Sequence, residues 1–182
     1  MSKVYAMIAD GTEEVECLAV VDILRRAGVT VEIVSVNGRT ITSSHGVAIT
    51  ADSVIGDVDL ADCDLLFVPG GMPGTPTLAA EKRLIGAIDK LLKNNKRVAA
   101  VCAAPALVLG DHKFLIGKKA VCFPGYEEHL FGAEVQEGAR VVTDGNITTA
   151  RGLGTAIELG LELVRLLVGE KQSDDIKKKI QF

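Results

Sequence analysis

Cys102 is the residue whose surroundings point most directly to chemistry. The segment Arg97-Val-Ala-Ala-Val-Cys102-Ala-Ala-Pro105 reads as a buried strand that turns into a helix without a loop, with Ala100, Ala103 and Ala104 around the turn. Such a turn forces a strained backbone on its central residue and tolerates only small neighbours. It also aims the side chain outward at the start of a helix, whose dipole favours a thiolate. The pattern is a nucleophile elbow with cysteine in place of serine. Free cysteine is among the most buried residue types, so composition alone would make Cys102 a packing residue; its small neighbours argue for the elbow.

Two further features could complete a site. Gly70 and Gly71 follow an apolar strand at 64–68, and glycine N–H groups can approach a reacting oxygen as an oxyanion hole requires. A plain turn is the simpler reading, and Gly70-Gly71-Met72-Pro73-Gly74 lacks the spacing of a dinucleotide fingerprint. Glu16 shares a helical stripe with Val20, Ile23 and Ala27, whereas Glu14, Asp22, Arg25 and Arg26 lie on or near the exposed side. A carboxyl group on an apolar face needs a hydrogen-bond partner, and burial raises its pKa; a partly solvated residue at the edge of the face reads equally well. His45 could serve as a general base, but its place in a predicted hairpin suits a solvated side chain. His112 and His129 fall outside the predicted site. Cys17, Cys63 and Cys122 read as packing residues, Cys17 least securely because it adjoins Glu16. No zinc-site spacing and no Walker-type loop is present, so neither metal nor cofactor is expected.

The elements that must position these residues alternate. Residues 3–9 form an apolar run ending at Asp10-Gly11, and Thr12 with Glu13 and Glu14 predicts the start of a helix that stops at Gly28. Residues 30–36 are strand-like, which closes a βαβ unit. Asn37-Gly38 predicts a small antiparallel excursion over 39–42 and 45–50. A surface helix follows over 81–94, then a buried strand over 97–101, the elbow, and a helix from 103 to 109. After a less regular stretch come a hairpin around Asp144-Gly145-Asn146, a helix over 155–168 with Thr155 and Glu158 as a capping box, and a last short helix from 173 to 179. Apolar strands alternating with amphipathic helices predict a mostly parallel sheet covered on both faces, with any site at the carboxyl ends of its strands.

The chain has 182 residues, 48% of them hydrophobic, which suits a single domain spanning 1–182 with one sizeable core. A net charge of −4 with scattered basic residues gives no footprint for nucleic acid or an anionic membrane, so small or neutral partners are expected. The first residues lack the pattern of a signal peptide and no apolar run approaches a membrane span, which predicts a cytoplasmic protein with four free thiols.

Four motifs occur together and in order: E-E-V-E at 13–16, V-P-G-G at 68–71, A-A-V-C-A-A-P at 99–105 and T-A-R-G-L-G-T at 149–155. In these the chain resembles the ThiJ/PfpI superfamily, on the branch of the Parkinson's-disease-linked protein deglycase and its bacterial relatives. The resemblance implies a flavodoxin-like three-layer sandwich of the class I glutamine amidotransferase-like kind, usually a homodimer. It makes Cys102 the nucleophile and an easily oxidised thiol, Glu16 its protonated hydrogen-bond partner, and the N–H groups of Gly71 and Ala103 oxyanion donors. It implies glutathione-independent glyoxalase and deglycase activity on reactive carbonyls such as methylglyoxal or on glycated protein and nucleotide adducts, and also redox-dependent chaperoning in oxidative stress. This chain departs from the pattern in four places. Ala103 stands where protease-like relatives have histidine, Phe123 where a relative has histidine before proline, His45 where some relatives bring an arginine, and Leu153 where proline is usual. Amidase or peptidase activity therefore ranks last, behind carbonyl chemistry and then redox sensing through Cys102.

Overall fold

The computed structural model describes residues 2–182. Strand β1 (Lys3–Ile8) leads into helix α1 (Glu14–Arg26), and β2 (Thr30–Ser35) returns parallel to β1, with Lys3 opposite Thr30 and Ile8 opposite Ser35. This is the predicted βαβ unit. β3 (Thr40–Thr42) and β4 (Ala48–Thr50) make the antiparallel excursion, and the short β5 (Ser53–Val54) pairs with β2. β6 (Leu65–Val68) runs to the two glycines, and α2 (Gly74–Ala80) and α3 (Lys82–Lys93) lead to β7 (Arg97–Val101). Beyond the elbow, β8 (Lys119–Ala120) pairs with β9 (Glu134–Val135) and β10 (Val141–Asp144) with β11 (Ile147–Ala150). Helices α4 (Ala156–Leu167) and α5 (Glu170–Lys179) close the chain.

The main sheet has seven strands in the order β10-β11-β7-β6-β1-β2-β5, all parallel to their neighbours except β10. Successive residues of a strand face opposite sides, and β1 is buried on both. Val4, Ala6 and Ile8 join one apolar layer with α1 and α4, while Tyr5, Met7 and Ala9 join another with α2 and α3. Helices α1 and α4 lie close, since a β-carbon at Gly160 would stand 2.8 Å from Ile23 Cδ1. The result is the flavodoxin-like α/β sandwich. None of the helices among the described residues is long and apolar enough to cross a membrane.

Three details differ from the sequence reading. Glu13 rather than Thr12 caps α1, because the Thr12 hydroxyl is used to accept the Ala9 N–H (2.9 Å) in the preceding turn. Thr155 and Glu158 form no capping box: the Thr155 hydroxyl donates to the Gly152 carbonyl (2.7 Å) and Glu158 pairs with Arg140 (2.7 Å). The segment after the elbow is a six-residue π-helix, Pro105–Gly110, carried on by Asp111 and Phe114 N–H groups that reach back five residues to Ala106 and Leu109.

Candidate active site

The strand order places the site. β7, β6 and β1 are neighbours, so their carboxyl ends bring Cys102, Gly70-Gly71 and the start of α1 side by side. Cys102 has φ of +66°, a left-handed conformation that costs a non-glycine residue about 1–2 kcal/mol. Its backbone is held on both sides: its N–H donates to the Ala150 carbonyl (3.0 Å) and its carbonyl accepts the Phe123 N–H (2.8 Å). Ala100, Ala103 and Ala104 are buried around it, where larger side chains would collide with the turn. The sulfur itself is only half-buried. Because the following helix is short, local N–H groups rather than a helix dipole favour the thiolate; those of Ala103 and Gly71 are directed at the sulfur.

Glu16 reaches the sulfur from α1. Its side chain is 1% exposed, and its Oε2 accepts the Gly70 N–H at 3.0 Å. The Gly70 N–H is thereby committed to Glu16, which leaves Gly71 and Ala103 to face the sulfur, whereas the sequence reading had grouped Gly70 with the oxyanion donors. The Leu153 N–H also bonds the Glu16 carboxyl. Glu13 orders this corner from beneath: its N–H donates to the Gly70 carbonyl (3.0 Å), and its Oε2 accepts the Glu16 N–H (2.6 Å). Gly71 has φ of +99°, and a β-carbon there would lie 2.2 Å from the Glu13 nitrogen. Only glycine permits that approach.

Burial pushes the Glu16 carboxyl up to about 7, opposed by its hydrogen bonds to Cys102, Gly70 and Leu153. Burial also pushes the Cys102 thiol up to about 12, and an ionised Glu16 beside it adds to the rise through its charge and by accepting the S–H. The N–H groups of Ala103 and Gly71 pull the other way. Carboxylate and thiolate therefore exclude one another, and the pair shares a proton over much of the pH range. A protonated Glu16 reverses its own contribution, since it then donates to the sulfur instead of repelling its charge.

The other candidates sit apart. His45 is exposed at the tip of the β3-β4 hairpin, its Nδ1 3.2 Å from Glu14 Oε1 and 3.8 Å from Glu13 Oε1. These three residues offer ligand atoms within 4.8 Å of one another, a grouping that no sequence spacing reveals because the hairpin is remote from α1. Glu13 and Glu14 already engage the Glu16 N–H and the imidazole, so the group is a hydrogen-bonded cluster around the start of α1. His112 bonds the Ala79 carbonyl and His129 bonds Asp111, away from the sulfur. Cys17, Cys63 and Cys122 are buried, and burial pushes each thiol up to about 12. A recess of about 680 Å³ between β10, α4 and α5 contains neither Cys102 nor Glu16. Its arginines are paired, Arg140 with Glu158 and Arg165 with Glu162. Sequence reasoning missed the roles of Glu13 and Leu153, because both act through backbone or capping bonds that leave no residue-type signature.

The model of the DJ-1/PfpI family matches residues 2–166. Protein DJ-1 homolog B of Arabidopsis thaliana is 37% identical over 175 residues, which are 96% of this chain and 40% of that protein. The chain thus spans about two fifths of that relative's length. Protein dj-1beta of Drosophila melanogaster is 33% identical over 185 residues, covering 98% of this chain and 96% of the relative. Among solved structures, oxidized DJ-1 of Toxoplasma gondii superposes with a TM-score of 0.95 at 33% identity, over 100% of this chain and 99% of that one.

Proposed function

The chain belongs to the DJ-1/PfpI family, and from that premise we propose that it is a cofactor-independent enzyme acting on small reactive carbonyls such as methylglyoxal, a glutathione-independent glyoxalase and deglycase with Cys102 as its nucleophile. The observation that carries this reading is the meeting of a strained, half-exposed thiol with a buried carboxyl group of raised pKa and two backbone N–H groups. Each member has a step to perform.

The Cys102 thiolate adds to the aldehyde carbon; a C–S bond forms and the C=O electron pair moves to oxygen. In this reading the Gly71 and Ala103 N–H groups, which bond the sulfur, receive that oxyanion, and Glu16 gives it a proton. The resulting hemithioacetal loses its C1 proton to the Glu16 carboxylate, which returns it to C2, while the hydroxyl proton passes from the first oxygen to the second. Water then cleaves the thioester to lactate and restores the thiol, so methylglyoxal and water balance lactate with no external oxidant. The same thiolate can attack the carbon of an early glycation adduct, with hydrolysis releasing the amine. The three histidines have partners away from Cys102, which keeps amidase and peptidase activity last.

The test is lactate formation from methylglyoxal by wild type and Cys102→Ala, with metals and glutathione excluded. Turnover by wild type and its loss in the variant support the enzyme; no turnover in either sinks it. One observation favours redox sensing as a second reading: Cys102 is half-exposed while the other three cysteines are buried, and a protonated Glu16 could donate to a sulfinate oxygen. Mild peroxide should then add two oxygens at Cys102 in wild type and fewer in Glu16→Leu. We also assign a cytoplasmic setting and a homodimer. The exposed Val15 and Leu18 on α1 and Ile157 on the adjacent α4 offer an apolar face that a second copy would cover.

A further inference from the structure

We propose that this thiol site selects carbonyl compounds bearing an apolar, uncharged substituent, such as aryl and alkyl glyoxals, over anionic ones such as glyoxylate, and that Phe123 sets the preference. The inference rests on the carbonyl reading above and adds to it a substrate class.

Three large apolar side chains are exposed on segments that carry the site: Met72 is 50% exposed, Phe123 45% and Leu153 49%. Each is tied to a different member of the site. Met72 directly follows Gly71. The Phe123 N–H donates to the Cys102 carbonyl at 2.8 Å, and the Leu153 N–H bonds the Glu16 carboxyl. The Phe123 ring faces the same space as Glu16: a β-carbon at Gly152 would lie 3.3 Å from Phe123 Cδ2 and 3.8 Å from Glu16 Oε1. Tyr126 packs edge-on against that ring, with centroids 6.4 Å apart. A single exposed apolar residue needs no explanation. Phe123, whose ring approaches Glu16 across Gly152, gives a substrate's substituent an apolar surface to cover, and Met72 and Leu153 are exposed on the segments that carry Gly71 and bond Glu16.

Charge points the same way. The charged group that raises the Glu16 pKa is Glu13, and the one that raises Cys102 is Glu16. His45 is bonded to Glu14 at the hairpin tip. A substrate carboxylate would enter beside the Glu13–Glu16 pair, whose charges already disfavour one another. The mouth therefore favours neutral substituents by attraction and rejects anionic ones by repulsion.

The experiment compares kcat/KM for phenylglyoxal, methylglyoxal and glyoxylate in wild type and Phe123→Ser. This variant keeps the backbone bond to Cys102 and changes a half-exposed position, and Met72→Ser is a second one. Phe123→Ser should lose about tenfold on phenylglyoxal and lower the phenylglyoxal-to-methylglyoxal ratio at least threefold. Wild type should handle glyoxylate at least 100-fold less well than phenylglyoxal. An equal loss on all substrates, or an unchanged phenylglyoxal-to-methylglyoxal ratio in both variants, overturns the proposal. A second readout is independent of turnover: alkylation of Cys102 by phenacyl bromide and by iodoacetate, each rate normalised to free cysteine. Wild type should favour phenacyl bromide, with the preference reduced at least fivefold in Phe123→Ser. If that preference appears while no glyoxal is turned over, the enzyme reading fails and the selectivity stands; if the normalised rates are equal, the selectivity fails whatever the turnover.

Discussion

Glu16 and Cys102 meet across Gly70. A β-carbon at that glycine would lie 2.6 Å from Glu16 Oε2, 2.5 Å from Cys102 Cβ and 3.0 Å from Cys102 Sγ, so the two functional groups fill the space a side chain would need. The absence of that side chain lets a carboxyl group on α1 reach a thiol at the end of β7. The pair can then trade one proton, because neither group is solvated well enough to ionise freely beside the other.

Glu16→Gln should make the thiol more acidic than in wild type. The amide removes the charge that helps hold Cys102 up and keeps an N–H donor for the sulfur, whereas Glu16→Leu removes both charge and donor. Thiolate absorbance against pH should rank the Cys102 pKa lower in Glu16→Gln than in Glu16→Leu, and lower in Glu16→Gln than in wild type. Carbonyl turnover should nevertheless fall 100-fold or more in both, through kcat, because the acid and base is gone. A Glu16→Gln thiol no more acidic than wild type would mean that the carboxyl does not act on the sulfur.

Stability should carry the imprint of Glu16. Its folded value of about 7 lies above its ordinary 4.5, so the folded state holds a proton that the unfolded chain releases between those values. The stabilising contribution is complete below pH 4.5 and is lost as pH rises to about 7. Denaturant unfolding at several pH values should show Glu16→Gln gaining on wild type by roughly 3–3.5 kcal/mol in total as pH rises from below 4.5 to above 7, at ~1.4 kcal/mol per pH unit, and no further beyond. A difference that stays constant from pH 4 to 8 would mean that Glu16 titrates normally.

Alkylation should separate the four thiols. Iodoacetamide near neutral pH should modify Cys102 well before Cys17, Cys63 and Cys122, which are buried while Cys102 is half-exposed and faces two N–H donors. Peptide mapping that finds another cysteine modified first would contradict the elbow.

Gly70→Ala should disable the site without a change at either functional residue. The new methyl would overlap Glu16 Oε2 and Cys102 Cβ, and carbonyl turnover should fall at least 100-fold with a stability loss of about 1–3 kcal/mol. Turnover within threefold of wild type in a folded variant would show that the two groups can part without consequence.

His45→Ala should change turnover less than tenfold, since the imidazole is exposed and bound to Glu14 rather than to the reacting atoms. A larger loss in kcat with unchanged unfolding would place His45 in the chemistry.

Much of this was written in local pattern. The alternation of apolar strands with helices, the small residues around Cys102 and the glycines after β6 are short-range signals, because a sharp turn or a close backbone approach restricts residue type where it occurs. The positive φ at Cys102 was legible for that reason, whereas the helical stripe left Glu16 open between a buried partner and a partly solvated edge residue, and the fold buries it. The family resemblance paired Glu16 with Cys102, but residue types and spacing alone do not show which groups share a proton. That followed from the order β7-β6-β1, which sets side by side segments more than eighty residues apart, and from Gly70, whose N–H the fold gives to Glu16 instead of leaving it for substrate. Caps were misread for the same reason: Thr12 and Thr155 hydroxyls have several acceptors or donors within reach, and tertiary packing chooses among bonds of similar strength. Phe123 shows the division most plainly. In the sequence it is a phenylalanine before a proline, where a relative has histidine; its backbone bond to Cys102 and its ring's approach to Glu16 across Gly152 exist only once the fold has closed.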